Sequence, residues 1–93
     1  MKKALFTCRG RVDTVVGNTI EATVFKNERG DDPKGILLKT SDFKEPGVAE
    51  GRWFVYTQFY LGFEVHLLPD TVCTKEDAEA AYRKFLEVLP EEF

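Results

Sequence analysis

The side chains with the clearest potential for chemistry are one histidine, His66, and two cysteines, Cys8 and Cys73. A histidine beside a thiol can act as the base that activates a cysteine nucleophile. Neither cysteine has a flanking motif of that kind, and Cys73 lies beyond the end of the strand predicted to hold His66. The favoured interpretation of His66 is therefore a structural histidine hydrogen-bonded to Tyr56 or Glu64. A small-ligand binder or enzyme that uses His66 and Cys73 remains an alternative.

Metal and cofactor sites are not indicated by the sequence. Two cysteines and one histidine without a C-x-x-C pair fall short of a zinc site. The acids Asp31 and Asp32 lack the spacing of a calcium loop, and residues 30–35 lack that of a phosphate-binding loop. A Cys8–Cys73 disulfide would need an oxidising compartment, which nothing else in the sequence suggests. We predict no catalytic residues, no metal ligands and no cofactor.

The most informative stretch is WFVYTQFYLGFEVHLLP, residues 53–69. A half-buried strand alternates apolar and polar side chains, but here aromatic residues occupy odd and even positions alike. The pattern predicts a hairpin with apolar side chains on both faces of the sheet. It therefore raises the question of what covers the second face.

The turn of this hairpin decides which side chains share a face. A two-residue turn at Leu61-Gly62 would pair Tyr60 with Phe63. It would place Phe63, Val65 and Leu67 on the face of Tyr56, and Glu64, His66 and Leu68 on the opposite face. A three-residue turn, residues 60–62 with Gly62 at positive φ, would pair Phe59 with Phe63, and this register is preferred because like side chains then meet. It predicts a core face under the C-terminal helix, made of Trp53, Val55, Phe59, Phe63, Val65 and Leu67.

The opposite face of that hairpin is the candidate binding site. Its predicted members are Phe54, Tyr56, Gln58, Glu64, His66 and Leu68, with Tyr60 at the edge. Aromatic side chains with polar tips are enriched at protein-binding surfaces. The binding residues predicted from the sequence are Phe54, Tyr56, Gln58, Tyr60, Glu64 and His66. The alternative is that sheet curvature or residues 41–51 bury this face.

The remaining elements frame the hairpin. Strands are predicted at residues 4–8, 11–16, 19–25 and 36–40, with a bulge or bend at Gly10 and a two-residue turn at Gly17-Asn18. Residues 27–35 are predicted to form a solvated loop. A helix with Thr74 as N-cap and an apolar stripe follows, and Pro90 ends it. The stripe comprises Ala78, Ala81, Tyr82, Phe85, Val88 and Leu89.

These elements predict an α+β fold, an antiparallel sheet of about five strands with one C-terminal α-helix packed on one face. Ninety-three residues with 43% hydrophobic content are expected to form a single domain, residues 1–93. No apolar run is long enough to cross a membrane, and Thr7, Arg9 and Arg11 interrupt any signal peptide, so a cytoplasmic location is expected. The net charge of −3 makes direct binding to nucleic acid unfavourable.

The function most consistent with these features is that of a small, non-enzymatic protein-binding or regulatory domain. One form would be an inhibitor of a larger, basic, nucleic-acid-handling partner, such as a phage-encoded anti-defence protein. The first alternative is a structural homodimer in which a second copy covers the aromatic face. The expected partner is another protein, which the sequence does not identify.

Overall fold

The computed structural model describes residues 4–26 and 32–88. Five strands and one helix follow one another along the chain: β1 (Ala4–Val16), β2 (Thr19–Phe25), β3 (Pro33–Lys39), β4 (Trp53–Phe59), β5 (Gly62–Leu67) and α1 (Lys75–Val88). The strands form one antiparallel sheet in the order β3-β2-β1-β4-β5. The α+β prediction is therefore confirmed, with the N-terminal strand at the centre of the sheet.

The central strand is continuous where a break was predicted. Gly10 pairs regularly with Val24 on one side and with Phe54 on the other, so the bend predicted at Gly10 is wrong. The ring of Phe54 lies directly on Gly10, and this close approach is what the glycine permits. The register of β1 shifts instead between Val12 and Thr14, in its pairing with β2.

The first hairpin forms as predicted. Val16 pairs with Thr19, which leaves Gly17 and Asn18 as a two-residue turn. Gly17 has a φ of 59°, as the first central residue of a type II′ turn requires. Gly47 has a φ of 95°, which suits the third position of a type II turn that follows Pro46.

The aromatic hairpin adopts neither of the two predicted pairings, but its β5 side chains lie on the faces that the Leu61-Gly62 turn predicts. Phe59 pairs with Gly62, so the turn is Tyr60-Leu61, and Gly62 is not among the described glycines with positive φ. This register shifts β5 by one residue relative to the preferred prediction, which is therefore wrong for β5. The physical reason is the cover on the second face, because the shift places Val65 against Phe43, with which it forms a bridge.

We call the sheet face under α1 the helix face. On β4 it carries Trp53, Val55 and Thr57, and on β5 Glu64 and His66 lie opposite Thr57 and Val55. Its apolar core comprises Trp53, Val55, Leu68, Val72, Ala78 and Tyr82. The predicted members Phe63, Val65 and Leu67 lie on the other side of the sheet, as the shifted register requires.

We call that other side the loop face, and residues 40–52 cover part of it. A 3-10 helix at Thr40–Asp42 leads to Phe43, whose ring meets Phe54 edge-on at 5.5 Å. The larger core of the protein lies here, and it contains Cys8, Val12, Ile20, Ala22, Val24, Leu38, Phe43, Phe54 and Val65. The alternative in which residues 41–51 bury this face is therefore correct for its inner half.

The helix begins as the sequence predicted. The Asp77 amide donates to Thr74 Oγ1 at 3.1 Å, and Ala78 N–H donates to the Thr74 carbonyl at 2.9 Å. Ala78 and Tyr82 are buried, and Ala81 and Phe85 pack beside them. On the exposed side of the helix, Glu79 and Arg83 form an i,i+4 ion pair at 2.9 Å.

Strand β3 begins earlier than predicted, at Pro33 rather than at residue 36. The rest of the predicted loop, residues 27–31, and the end of the helical stripe at Leu89 and Pro90 lie outside the described residues.

Candidate protein-binding site

The six residues predicted to bind do not share one surface. Phe54 is fully buried beneath Phe43 on the loop face. Glu64 and His66 lie on the helix face, because the register of β5 is shifted by one residue. Tyr56 and Gln58 lie on the loop face with Phe54 but are not fully buried, and Tyr60 is at the exposed turn beside them.

Tyr56 is the centre of a row of three rings that we call the aromatic row. Phe6 on β1, Tyr56 on β4 and Phe63 on β5 stand side by side at the outer end of the loop face. The ring centroids of Phe6 and Tyr56 are 6.2 Å apart, and those of Tyr56 and Phe63 are 5.2 Å apart, with interplanar angles of 27° and 16°. Phe6 is 45% exposed and Phe63 40% exposed, so residues 40–52 leave this end of the face open.

Gln58 fixes the geometry of the row and of the turn next to it. Tyr56 Oη donates to Gln58 Oε1 at 2.6 Å. Gln58 Nε2 donates in turn to the carbonyls of Phe59 and Gly62 at 2.9 and 3.0 Å. One amide side chain therefore holds both the tyrosine and the two ends of the turn. At the tip, Tyr60 and Leu61 are 82% and 91% exposed.

Two members of the row, Phe6 and Phe63, were missing from the predicted site. Phe63 was assigned to the core because of the register. Phe6 has a signal in the sequence, since Phe6, Cys8 and Val12 alternate with the polar residues Thr7, Arg9 and Arg11. The period of two predicts which side of β1 is apolar. It does not reveal that the apolar side continues the aromatic face of β4, because that depends on strand order.

Beside the row lies a groove of about 160 Å³, which we call the Phe6 groove. It is lined by Phe6, Cys8, Val24, Lys26, Lys34, Ile36 and Tyr56. Burial raises the pKa of the Cys8 thiol to about 11, against lesser lowering by Lys26 and Arg9, so this thiol is protonated at neutral pH. Burial also raises the pKa of Tyr56, and Cys8 and Asp42 raise it further.

His66 lies between two carboxylates at the edge of the helix face. Its Nδ1 is 3.0 Å from Glu45 Oε2, and its Nε2 is 3.6 Å from Glu64 Oε2. Its ring also packs on Phe85 with centroids 5.6 Å apart. At 3.6 Å the contact with Glu64 is too long for the predicted hydrogen bond, and Glu45 is the partner that the sequence did not indicate.

The structure does not bring His66 and the cysteines together. Cys73 is exposed and precedes the first turn of α1, where it lines a cleft with Trp53 and Lys75. His66 meets the same helix at Phe85, ten residues after Lys75, which is about 15 Å along the axis. Cys8 lies on the loop face, across the sheet from His66. Both thiols are free, so the described residues contain no disulfide.

Polar groups are buried between the sheet and the helix. Arg9 is 1% exposed, and its guanidinium lies 5.9 Å from the centroid of the Tyr82 ring. Tyr82 Oη hydrogen-bonds to Thr7 Oγ1 at 2.7 Å. A buried cation and a hydroxyl that packs and bonds in this way favour one position of the helix on the sheet.

Among residues 4–26 and 32–88, no three His, Cys, Asp or Glu side chains are arranged to hold a metal ion. The same residues include no helix that is long and apolar enough to cross a membrane. Comparisons of the chain with protein-family models, curated proteins and solved structures found no match. The aromatic row and the Phe6 groove are therefore interpreted from their own geometry.

Proposed function

We propose that this protein is a small, non-enzymatic protein-binding domain and that the aromatic row is its contact surface. The observation that carries the proposal is the stack of Phe6, Tyr56 and Phe63, in which Phe6 and Phe63 are 45% and 40% exposed, on a face whose inner half is covered. Apolar rings left open at one end of a covered core are characteristic of interaction sites.

The geometry of the row supports this function in two ways. The rings are held by each other and by Gln58, so little conformational entropy is lost when a partner binds. The exposed tip residues Tyr60 and Leu61 extend the same surface beyond the sheet. Rigid aromatic side chains with a polar neighbour are the usual centres of binding energy in protein interfaces.

The proposal can be tested with peptides selected from a displayed random library on the immobilised full chain. We expect the selected peptides to shift the backbone amide resonances of Phe6, Tyr56 and Phe63. We also expect the double variant Phe6→Ser/Phe63→Ser to weaken their binding by about a hundredfold, as loss of two central contacts does. Both rings are partly exposed, so the variant should keep its fold.

The matched control is Leu37→Ser. Leu37 is 71% exposed on β3 and lies away from the row, so its replacement should leave peptide binding unchanged. Selected peptides that bind Phe6→Ser/Phe63→Ser as tightly as the wild type would overturn the proposed contact surface.

A further inference from the structure

The Phe6 groove indicates the chemistry of the partner, on the basis of the binding function proposed above. It lies where β1 begins, β2 ends and β3 begins. Phe6, at one end of the aromatic row, forms one of its walls. Phe6 and Tyr56 stand on one side, and Lys34 and Ile36 of β3 stand on the other. A ring placed in the groove would extend the existing stack beyond Phe6.

The size of the groove matches one aromatic side chain. Its volume is about 160 Å³. An apolar cavity of about 150 Å³ holds one benzene ring. The floor is formed by Cys8 and Val24, both buried, and the protonated thiol of Cys8 behaves there as a small hydrophobic group.

The charges of the lining have one sign. Lys26 and Lys34 are its only charged members among the described residues, and both are exposed. The carboxylate of Asp42 lies near enough to raise the pKa of Tyr56, but it is outside the lining. This local charge is opposite in sign to the net charge of −3. The groove is therefore complementary to an acidic segment.

The polarity of the groove favours a phenyl ring over a nucleobase. The edges of a base carry several hydrogen-bonding groups, which lose free energy when they are buried without partners. Among the described lining residues, the one hydroxyl is that of Tyr56, and it already donates to Gln58. Val24 and Ile36 offer no polar side-chain group to a base.

We infer that the Phe6 groove binds an acidic peptide segment of a protein partner, with one aromatic side chain of that segment inserted beside Phe6. The inserted ring extends the aromatic row, and carboxylates on either side of it pair with Lys26 and Lys34.

The test uses the full chain and three synthetic seven-residue peptides with blocked ends. The first is Gly-Glu-Glu-Phe-Glu-Glu-Gly. The second has Lys in place of Glu, and the third has Ser in place of Phe. Oligo-dT is the fourth probe, and titration followed by amide chemical shifts at low ionic strength gives each dissociation constant. We expect the first peptide to bind at least about tenfold more tightly than any other probe, as two ion pairs and one buried ring imply.

Charge reversal tests the lysines directly. In the double variant Lys26→Glu/Lys34→Glu we expect the preference between the Glu and Lys peptides to reverse. Lys39→Glu is the matched control, because Lys39 is exposed on β3 and does not line the groove, and it should keep the preference of the wild type.

Equal affinity for the Glu and Lys peptides, or for the Phe and Ser peptides, would overturn the inference, and so would tighter binding of oligo-dT. If library-selected peptides still shift the amide resonances of the aromatic row, the proposed function would stand even though this inference fails. Selected peptides that bind elsewhere would instead overturn the proposed function itself.

Discussion

At the scale of single residues, Gly10 is where the core of the loop face has the least room. A Cβ atom added there would lie 2.7 Å from Cε1 of Phe54 and 3.0 Å from its Cε2. Phe54 cannot withdraw, because Phe43 packs against its other side. We expect Gly10→Ala to lower the free energy of unfolding by about 2 kcal/mol, the usual cost of overpacking a core.

Urea unfolding would measure this change, with Gly35→Ala as the control. Gly35 is exposed in β3 with no atom near its added Cβ, so its variant should stay within about 0.5 kcal/mol of the wild type. A Gly10→Ala variant as stable as Gly35→Ala would contradict the close packing described here.

Cys8 gives a second prediction at this scale. Its pKa is raised from 9.0 to about 11 by burial, so between these values the unfolded chain loses the proton and the folded chain keeps it. Stability is therefore fully present below pH 9 and falls as pH rises toward 11. Two pKa units set an upper bound near 3 kcal/mol, and we expect a loss of about 2 kcal/mol.

The measurement is urea unfolding at a series of pH values for the wild type and Cys8→Ala. Cys8 is one of the groups that raise the pKa of Tyr56, so the difference between the two profiles reports the thiol together with its effect on Tyr56. Parallel profiles between pH 9 and 11 would show that the Cys8 thiol does not carry this dependence.

At the scale of elements, Glu45 closes the outer edge of β5. Its Oε1 accepts from the Leu67 amide at 2.7 Å and its Oε2 lies 3.0 Å from His66 Nδ1, while the Lys44 amide donates to the Val65 carbonyl. We expect Glu45→Ala to destabilise the fold by about 1 kcal/mol, because the carboxylate is partly exposed. Hydrogen exchange at the Leu67 amide should accelerate more than exchange in β1.

Glu50→Ala is the control for this prediction, since Glu50 is an exposed carboxylate in the same covering segment. The Leu67 amide should remain protected in it. Unchanged protection of Leu67 in Glu45→Ala would exclude the proposed role of the carboxylate at this edge.

The helix gives the second prediction at the element scale. Thr74→Ala removes the side-chain acceptor of the Asp77 amide, and we expect a loss of about 1 kcal/mol of stability. Thermal and urea unfolding followed by far-ultraviolet circular dichroism would detect it. Thr71→Ala, an exposed threonine before the helix, should have no comparable effect, and equal behaviour of the two variants would rule out the cap.

At the scale of the whole molecule, the exposed large apolar side chains of the described residues do not form one continuous patch. Val16 and Leu37 lie apart from the aromatic row and the hairpin tip, and residues 40–52 cover the inner half of the loop face. A stable dimer usually buries about 800 Å² on each partner, and one end of a sheet in a molecule of 34 × 28 × 24 Å offers little of that. The free edge at β3 carries Pro33, Lys34 and Lys39, which oppose strand pairing.

We therefore expect a monomer of 10.6 kDa by light scattering at low micromolar concentration. A dimer that dissociates in Phe6→Ser/Phe63→Ser would contradict this expectation and would support the homodimer that the sequence left open.

Local patterns in the sequence determined much of the architecture. The Gly17-Asn18 turn, the strands that flank it, the Thr74 cap and the apolar stripe of α1 all depend on interactions between residues close in the chain. Such interactions act in the same way whatever the rest of the fold does. For the same reason the sequence assigned the odd and even residues of β4 to the correct opposite faces, and so placed Tyr56 and Gln58 together.

Long-range packing decided what the sequence could not. The register of β5 follows from Phe43 covering Val65, a contact between segments that no short pattern links. The candidate site depends on this register, because it places Glu64 and His66 on the helix face and Phe63 beside Tyr56. Phe6 completed the row only because β1 lies between β2 and β4 at the centre of the sheet. Strand order is a property of the whole chain, since it depends on which pairing of faces buries the most apolar surface.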